Sequence, residues 1–295
     1  MIKKPKGILL AAGNGTRLLP ATLPISKTLL PLYDKPMIYY PLETLIRLGI
    51  TEILFIVQEK DIPVFKKTFG TGEEVGLTFQ FVVQKFQKGI PDAYVIAEEF
   101  LNDSPSVLAL SDNIFLGDKY FEFANAALKQ MQNLGASVFG LSVPDPEKFG
   151  VVELNSNNKI IGIEEKPIDP KRNLIIPGFY FFDNMVTKLV KQLEPSKRGE
   201  LEITDLIKIY LDQGKLDIQI LNNSIQWHDT GTAEAMLEAS IKVQNYEKKY
   251  DKKIGSYEIA AYEMGLISKD QLMKIANKFI KAEYGLFINK YLKNN

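Results

Sequence analysis

Hydrophobic and polar positions along the first half of the chain alternate between two periods, one typical of strands and the other of helices. Strands are expected at residues 7–10, 52–58, 79–84, 106–110 and 136–143, and helices at residues 41–48, 62–69, 92–100 and 121–134. Because strands that alternate with helices form βαβ units, this half of the chain predicts a mainly parallel sheet flanked by helices.

The pattern changes beyond residue 143. Strands at 151–154, 160–164 and 178–182 are separated by turns rich in Asn and Pro, and helices are expected at 185–193 and 203–213. A strand at 216–221 and the stretch around Trp227 are expected to close the sheet.

The last part of the chain is lysine-rich and helical. Helices are expected at 233–250, with Thr232 as N-cap, and at 257–264 and 269–276, while Tyr284 and Gly285 should interrupt the final helical segment. The overall prediction is an α/β fold. It has a mixed, mainly parallel sheet flanked by helices at residues 1–232 and a helical C-terminal appendage at residues 233–295.

The amino-acid composition limits the binding and catalytic functions that are possible. Basic and acidic side chains number 36 each, so no overall positive field is available to bind nucleic acid. Cysteine is absent, and the single histidine, His228, has no G-x-S-x-G serine motif to work with. Any metal should therefore be a hard cation on carboxylates, which points to Mg²⁺. No apolar run is long enough for a membrane span or a signal sequence, which predicts a cytoplasmic protein.

A glycine-containing loop follows the first predicted strand, in the segment that begins at Leu10. Gly13 and Gly15 allow the backbone to approach a phosphate closely, and Thr16 supplies a hydroxyl. Arg17 supplies a planar guanidinium suited to phosphate oxygens. The spacing matches neither the P-loop nor the dinucleotide-binding motif. On its own, the loop is equally compatible with a tight turn beside a solvated arginine.

Two further segments extend this candidate site. Lys27 precedes Pro31 closely and would place a positive charge near a triphosphate, although most lysines are simply exposed. Asp112 follows the strand at 106–110, so its carboxylate should lie at the carboxyl edge of the sheet, where open α/β sheets bind ligands. It is a candidate Mg²⁺ ligand or, with Asn113, a turn residue.

Two acidic segments in the second half complete the set. Glu164, Glu165 and Lys166 suit a sugar phosphate, because carboxylates accept hydrogen bonds from hydroxyls and the ammonium attracts phosphate. A solvated charged run is the simpler interpretation of that segment. Asp229 is a candidate second Mg²⁺ ligand or the cap of the following helix. His228 is expected to be structural or exposed rather than catalytic.

In this order and spacing, the segments resemble the sugar-1-phosphate nucleotidyltransferases, most closely those that act on dTTP and glucose 1-phosphate. Residues 12–22 match the family's loop, which is close to G-G-x-G-T-R-L-x-P-x-T, with Ala12 in place of a glycine. Residues 30–41 (LPLYDKPMIYYP), 150–153 (GVVE), 164–167 (EEKP), 198–205 (RGELEITD) and 229–232 (DTGT) match as well. The likeness covers essentially the whole chain.

The resemblance implies a role for each matching residue. It assigns the nucleotide to Leu10, Gly13, Gly15, Thr16, Arg17, Lys27, Gln84, Gly89 and Asp112, the sugar phosphate to Gly150, Glu165, Lys166 and Ile176, and Mg²⁺ to Asp112 and Asp229. Arg17, Lys27 and Lys166 are expected to be catalytic. It further implies dTTP and glucose 1-phosphate as substrates, dTDP-glucose for dTDP-rhamnose synthesis as product, a homotetramer, and an end-product effector such as dTDP-rhamnose.

Four positions depart from the family pattern. Thr28 stands where glutamine is usual, Asp92 lies where the family reads G-L-A-Q-A, Ser111 replaces a glycine and Phe149 replaces a tyrosine. They leave the reaction class intact and bear on the choice of base and sugar.

Three other functions are alternatives to this one. A uridylyltransferase that makes UDP-glucose belongs to the same class. A non-catalytic nucleotide-sugar sensor would be expected to lack the lysine and aspartate positions, which are all present here. A dinucleotide oxidoreductase would need a third glycine and an acidic residue about twenty positions further on, and both are missing.

Overall fold

The computed structural model of the protein describes residues 3–157 and 159–294. Its strands are β1 (Lys6–Leu10), β2 (Pro31–Leu32), β3 (Lys35–Pro36), β4 (Glu52–Val57), β5 (Thr78–Val83), β6 (Ser106–Leu110), β7 (Asn113–Leu116), β8 (Ala136–Ser142), β9 (Gly150–Leu154), β10 (Ile160–Glu165), β11 (Leu174–Ile175), β12 (Phe179–Phe182), β13 (Leu216–Ile220) and β14 (Gln226–Asp229). Its helices are α1 (Tyr39–Arg47), α2 (Ile62–Phe69), α3 (Asp92–Ile96), α4 (Glu98–Leu101), α5 (Tyr120–Leu134), α6 (Val186–Leu189), α7 (Ile203–Asp212), α8 (Ala233–Tyr250), α9 (Tyr257–Glu263), α10 (Lys269–Lys278) and α11 (Glu283–Asn294).

A ten-stranded mixed sheet forms the centre of the molecule, in the order β10-β9-β11-β8-β12-β6-β1-β4-β5, with β13 paired to β8. Strands β6, β1, β4 and β5 are parallel, so their carboxyl ends meet at one edge. Strand β12 runs antiparallel between β6 and β8. The predicted α/β fold with a mixed sheet is confirmed.

Helices cover both faces of the sheet because neighbouring strand residues point to opposite sides. On one face, Leu9 and Phe55 join a core with α1, α2, α5 and the C-terminal helices. On the other face, Ile8 and Leu54 pack with residues of α3, α6 and α7. Both faces of the sheet are buried, which explains why the sequences of the parallel strands are continuous apolar runs rather than alternating apolar and polar residues.

The C-terminal helices pack against the α/β core. Helix α9 contacts α1, and α10 contacts α11. Thr232 is the N-cap of α8, as predicted, since its side chain accepts a hydrogen bond from the Ala235 N–H at 3.2 Å. The division into an α/β domain at 1–232 and a helical region at 233–295 stays a prediction. Within the described residues, no helix is both long and apolar enough to cross a bilayer.

Two sequence expectations about the chain beyond residue 221 were wrong. Tyr284 and Gly285 do not interrupt a helix but lie inside α11, which begins at Glu283. A side chain at Gly285 would place its Cβ 2.3 Å from the carbonyl oxygen of Phe279, so the glycine allows close packing rather than a break. The stretch around Trp227 does not join the central sheet, because it forms β14, which pairs with β7 in a separate two-stranded sheet.

Candidate active site

The candidate site lies at the carboxyl edge of the four parallel strands. The glycine loop follows β1, Gln58 follows β4, Gln84 follows β5 and Asp112 follows β6 by one residue. Open α/β sheets bind ligands at this edge, because the connections there leave the strands and open a crevice. The sequence predicted that the glycine loop and Asp112 lie at this edge, and the structure places both there.

Side-chain amides fix the glycine loop. The carbonyl oxygen of Ala12 accepts hydrogen bonds from Gln58 Nε2 at 3.0 Å and from Gln87 Nε2 at 2.8 Å. Asn14 contacts both glutamines, accepting from Gln58 Nε2 at 2.9 Å and donating to Gln87 Oε1 at 3.2 Å. The loop is thus tied to the ends of β4 and β5 through its own backbone and one polar side chain.

The two glycines of the loop have different roles. Gly15 has a φ of 60°, and a Cβ there would lie 2.9 Å from Thr22 Cγ2, so only glycine fits without strain. A Cβ at Gly13 would have no neighbour within 4 Å. Gly13 is exposed, as are Thr16 and Arg17, so this part of the loop is open to a ligand.

Arg17 packs across the loop that follows β14. A Cβ at Gly231 would lie 2.6 Å from Arg17 Nη2, which places the guanidinium directly against the glycine backbone. This contact brings the first and last matching segments of the sequence together. A side chain at position 231 would displace the Arg17 guanidinium from this contact.

Lys27 and Asp112 form the central charged pair. Lys27 is buried, and its Nζ donates to Asp112 Oδ2 at 2.6 Å. The Asp112 main-chain carbonyl accepts hydrogen bonds from Thr230 N at 3.2 Å and Thr230 Oγ1 at 2.8 Å, which ties the end of β6 to the segment after β14. Ser111 donates its hydroxyl to the Leu10 carbonyl at 2.7 Å, so this departure from the family pattern still supports the strand end.

Asp229 belongs to the same group of charges. Strand β14 places it opposite Asn113, next to Asp112. Burial raises the pKa of Asp229, and the negative charge of Asp112 acts in the same direction, whereas the cations Lys27 and Arg17 oppose the shift. The two predicted metal carboxylates and the two predicted phosphate-binding cations are therefore close enough to affect one another's charge.

This donor set fits a divalent cation held partly by substrate. Two carboxylates from separate strand ends provide hard oxygen ligands, and Mg²⁺ in nucleotide sites usually has one or two carboxylates, with phosphates and water as the remaining ligands. Among the described residues, no group of three or more acidic or histidine side chains is arranged to hold a metal.

Of the predicted sugar-phosphate residues, Gly150 begins β9, Glu165 ends β10, Lys166 follows β10 and Ile176 follows β11. Gly150 pairs with Glu165 in the sheet, and its carbonyl accepts a hydrogen bond from Ile176 N at 2.9 Å. Lys166 has a φ of 44°, and its N–H donates to the Phe149 carbonyl at 3.0 Å. Its ammonium is partly exposed and lies 3.9 Å from Glu165 Oε1.

Arg198 is a cation that the sequence reasoning gave no role. Its Nη2 lies 3.7 Å from Glu165 Oε1 and 2.7 Å from Glu202 Oε2, so it stands beside Lys166 at the same carboxylate. Burial raises the pKa of Glu165. Burial acts the same way on Glu202, but hydrogen bonds from Arg198 and Ser196 outweigh it and lower that pKa. The RGELEITD segment was the available signal for Arg198.

Gln84 and Gly89 mark the predicted base-binding part. Gln84 is buried, and its Nε2 donates to Asp92 Oδ2 at 2.9 Å. Gly89 has a φ of 97°, and a Cβ there would lie 2.0 Å from the Leu201 carbonyl oxygen. The loop that contains Gly89 thus packs against the same segment that contains Arg198.

Tyr180 links the two halves of the site. It is buried on β12, next to β6, and burial raises its pKa, as do the charges of Glu165 and Asp112. Tyr180 thus lies within electrostatic reach of one carboxylate from each half of the candidate site. His228 is half-buried on β14, burial lowers its pKa, and among the described residues its Nε2 has no hydrogen-bond partner.

A glycine loop, two carboxylates and two cations converge at the carboxyl edge of a mixed sheet, which is the arrangement expected of an α/β enzyme that acts on a nucleoside triphosphate. The model of the family described as nucleotidyl transferase matches residues 6–246, and the chain belongs to that family. The resemblance inferred from the motifs is therefore confirmed.

Curated relatives match the chain over nearly its whole length. A glucose-1-phosphate thymidylyltransferase of Neisseria meningitidis is 43% identical, with 98% of this chain and 99% of that protein covered. One from Mycobacterium tuberculosis is 39% identical, with 98% and 100% covered.

Solved structures match as well. A Bacillus anthracis protein in complex with sucrose, to which glucose-1-phosphate thymidylyltransferase activity is provisionally assigned, is similar with a TM-score of 0.73 and 38% identity, over 80% of this chain and 94% of that one. A UDP-glucose pyrophosphorylase with UDP-glucose has a TM-score of 0.72 at 24% identity, over 84% and 100%, a likeness of fold alone.

Proposed function

We propose that this protein condenses dTTP and glucose 1-phosphate to dTDP-glucose and pyrophosphate, a step toward dTDP-rhamnose and related deoxysugars. The observation that carries the proposal is the convergence of Arg17, Lys27, Asp112 and Asp229 at the carboxyl edge of the sheet. The names of relatives that match nearly the entire chain support the choice of substrates.

The proposed reaction is an in-line displacement. A phosphate oxygen of glucose 1-phosphate bonds to the α-phosphorus of dTTP, the bond to the bridging oxygen breaks, and pyrophosphate leaves. The attacking phosphate is already an anion at neutral pH, so no general base is needed. Catalysis then consists of holding two mutually repelling anions in line and neutralising their charge.

The basic side chains have separate roles in the proposed catalysis. Arg17 and Lys27 stabilise the leaving pyrophosphate from the glycine-loop side. Lys166 orients the attacking phosphate, with Arg198 as a second cation 3.7 Å from the Glu165 carboxylate. The main-chain N–H groups of Gly13, Gly15 and Thr16 are assigned to the triphosphate, with Gln84 and Gly89 at the base.

Asp112 and Asp229 are the proposed ligands of Mg²⁺. When bound, the ion would act as a Lewis acid on the α-phosphate and fix the triphosphate geometry. The Lys27 ammonium is already on Asp112 Oδ2, so this lysine also holds that carboxylate in place.

A matrix of nucleoside triphosphates against sugar 1-phosphates, read by pyrophosphate release with Mg²⁺, tests the proposal. Release should be fastest with dTTP and glucose 1-phosphate. Faster release with UTP would make the protein a uridylyltransferase, since the thymine methyl is worth only about 1 kcal/mol in an apolar niche. No release with any pair would leave only a nucleotide-sugar-binding role.

A separate cavity supports a proposed effector site for an end product such as dTDP-rhamnose. It has a volume of about 600 Å³ and lies between α1, β7 and the C-terminal helices, with Tyr40, Arg47, Phe121, Tyr246 and Lys253 among its lining residues. The aromatic side chains of this lining can stack on a nucleotide base, and the volume is in the range of small-molecule sites. Inhibition by dTDP-rhamnose that high dTTP does not relieve would support this assignment.

We further propose a homotetramer. Leu237 and Ile241, four residues apart on α8, are 64% and 49% exposed, which is unusual for adjacent large apolar side chains. Light scattering should give four times the 33.3 kDa chain mass. A cytoplasmic location also stays a prediction.

A further inference from the structure

Asp92 departs from the family pattern at a position in direct contact with the predicted base-binding glutamine. Gln84 immediately follows β5, is only 7% exposed, and donates from Nε2 to Asp92 Oδ2 at 2.9 Å. We propose that Asp92 is a positioning residue that determines base specificity. It fixes the Gln84 amide with its oxygen toward the nucleotide base. This inference rests on the proposed function, in which Gln84 meets the base.

The charge of Asp92 settles which way the amide points. An ionised carboxylate only accepts hydrogen bonds, whereas a glutamine amide has one donating and one accepting end. The NH₂ group must therefore face Asp92, because the flipped amide would set two acceptor oxygens against each other. Among the described residues, none donates a hydrogen bond to Gln84 Oε1, so that oxygen is the end left for a ligand.

Asp92 itself is held in place. It is the first residue of α3 and is half-buried, and the next two residues, Ala93 and Tyr94, are fully buried in the core. The preceding loop is anchored on the other side, where Leu201 N donates to the Lys88 carbonyl at 2.8 Å. Because the chain is anchored on both sides of Asp92, its carboxylate can hold the Gln84 amide in one orientation.

An acceptor oxygen at this position distinguishes the pyrimidine bases. Thymine and uracil carry a hydrogen on N3 and can donate it to Gln84 Oε1. Cytosine has an unprotonated N3, which is itself an acceptor and would be repelled. A buried site built to accept one hydrogen bond discriminates strongly against an analogue that cannot donate it.

The test compares kcat/KM for dTTP and dCTP, with glucose 1-phosphate, in the wild type and in Asp92→Asn. Asparagine has nearly the same shape but can donate as well as accept, so Gln84 becomes free to flip. We expect the dTTP-to-dCTP ratio to fall by about tenfold, the size of one buried hydrogen bond. The change should appear mainly in the KM for the triphosphates, with the KM for glucose 1-phosphate unchanged.

Asp103→Asn is the matched control. It makes the same change of charge and shape at an exposed residue before β6, at the opposite end of the strands. Its φ of 56° suits asparagine as well as aspartate, so it should keep the wild-type ratio. Asp92→Ala is a second variant, and it should also lose selectivity because nothing then orients the amide.

Two outcomes separate this inference from the proposed function. An unchanged ratio in both Asp92 variants of an active enzyme overturns the role of Asp92 and leaves the proposed reaction standing. If the wild type releases no pyrophosphate, the proposed reaction fails, and calorimetric binding of dTDP and dCDP decides the inference instead. A wild-type preference for dTDP that Asp92→Asn loses would support it, and equal preference in both proteins would overturn it.

Discussion

Arg17 depends on a residue that has no side chain. Its guanidinium lies against Gly231, where a Cβ would come within 2.6 Å of Nη2. This contact places a planar, always charged group beside the proposed nucleotide site, where it could bind phosphate oxygens in a bidentate manner.

Replacing Arg17 with alanine should lower kcat by on the order of 100-fold, because preorganised charge at the leaving group is lost. Steady-state pyrophosphate release under saturating substrates measures the effect. Arg172→Ala is the control, since that arginine is exposed and its ion pair with Glu153 is long, at 3.9 Å. Near-normal turnover of Arg17→Ala would remove this residue from the mechanism.

Gly150 is a second position at which a side chain would disturb the site. A Cβ there would lie 2.6 Å from Thr204 Cγ2 and 3.5 Å from Glu165 Oε2. Gly150→Ala should therefore lower the free energy of unfolding by about 1–3 kcal/mol, the usual cost of overpacking, and raise the KM for the sugar phosphate.

Gly162, on the neighbouring strand β10, offers a matched comparison. A Cβ there meets Glu153 Cβ at 3.8 Å, an ordinary contact, so Gly162→Ala should leave both quantities near the wild-type values. Urea unfolding and substrate titration of both variants provide the measurement. Equal effects in the two variants would contradict the steric argument.

Charged residues within recognisable motifs could be predicted as site residues from the sequence. Residues that only hold those motifs in place by hydrogen bonds could not. Lys27 and Asp112 were singled out for separate reasons, and their side chains meet at 2.6 Å. Thr230 and Gln87 were missed because a hydroxyl or amide that bonds a distant carbonyl has no local pattern. Only the fold brings Gln87 to the Ala12 carbonyl, 75 positions away.

Helix α10 begins with a capping box. Ser268 Oγ accepts a hydrogen bond from Gln271 N at 3.2 Å, and Gln271 Oε1 accepts one from Ser268 N at 2.8 Å. Two main-chain donors that the helix cannot pair are thus satisfied by side chains.

Ser268→Ala should lower the free energy of unfolding by about 1 kcal/mol, because one capping bond is lost. Ser268→Thr keeps the hydroxyl and should stay close to the wild type. Thermal unfolding of the two variants distinguishes the cap from general packing. Turnover should be unaffected in both, and a drop in kcat would contradict a purely structural role.

Long periodic elements were predictable, and short ones were not. The 15-residue α5 and the 18-residue α8 agree with the sequence pattern. The helix predicted at 92–100 is divided into α3 and α4, and the one predicted at 185–193 has α6 only at its start. Asp112 and Asn113 were also compatible with turn residues, and pairing with β14 instead makes Asn113 the first residue of β7.

Across the whole molecule, Glu258 joins α9 to α11 through the hydroxyl of Tyr284. Burial raises the pKa of Glu258 to about 7, from an ordinary value near 4.5. The folded protein therefore keeps this proton at a pH where the unfolded chain has lost it. The associated stability is fully present below pH 4.5 and is lost as the pH rises toward 7.

The expected loss of stability from this group is about 3 kcal/mol between those limits. Glu258→Gln removes the titration, so its free energy of unfolding should depend less on pH than that of the wild type. Urea unfolding from pH 4.5 to 8 provides the measurement. Glu122→Gln, on the exposed side of α5, should retain the wild-type profile, and identical slopes for all three proteins would refute the assignment.

The amide network on the glycine loop has a consequence for how fast a nucleotide can bind. Gln58, Gln87 and Asn14 hold the loop at the ends of β4 and β5 through protein contacts alone. If the loop binds a triphosphate as proposed, its main-chain donors are already in place, and little conformational entropy should be lost on binding. Association should be governed by diffusion and charge rather than by a slow closing of the loop.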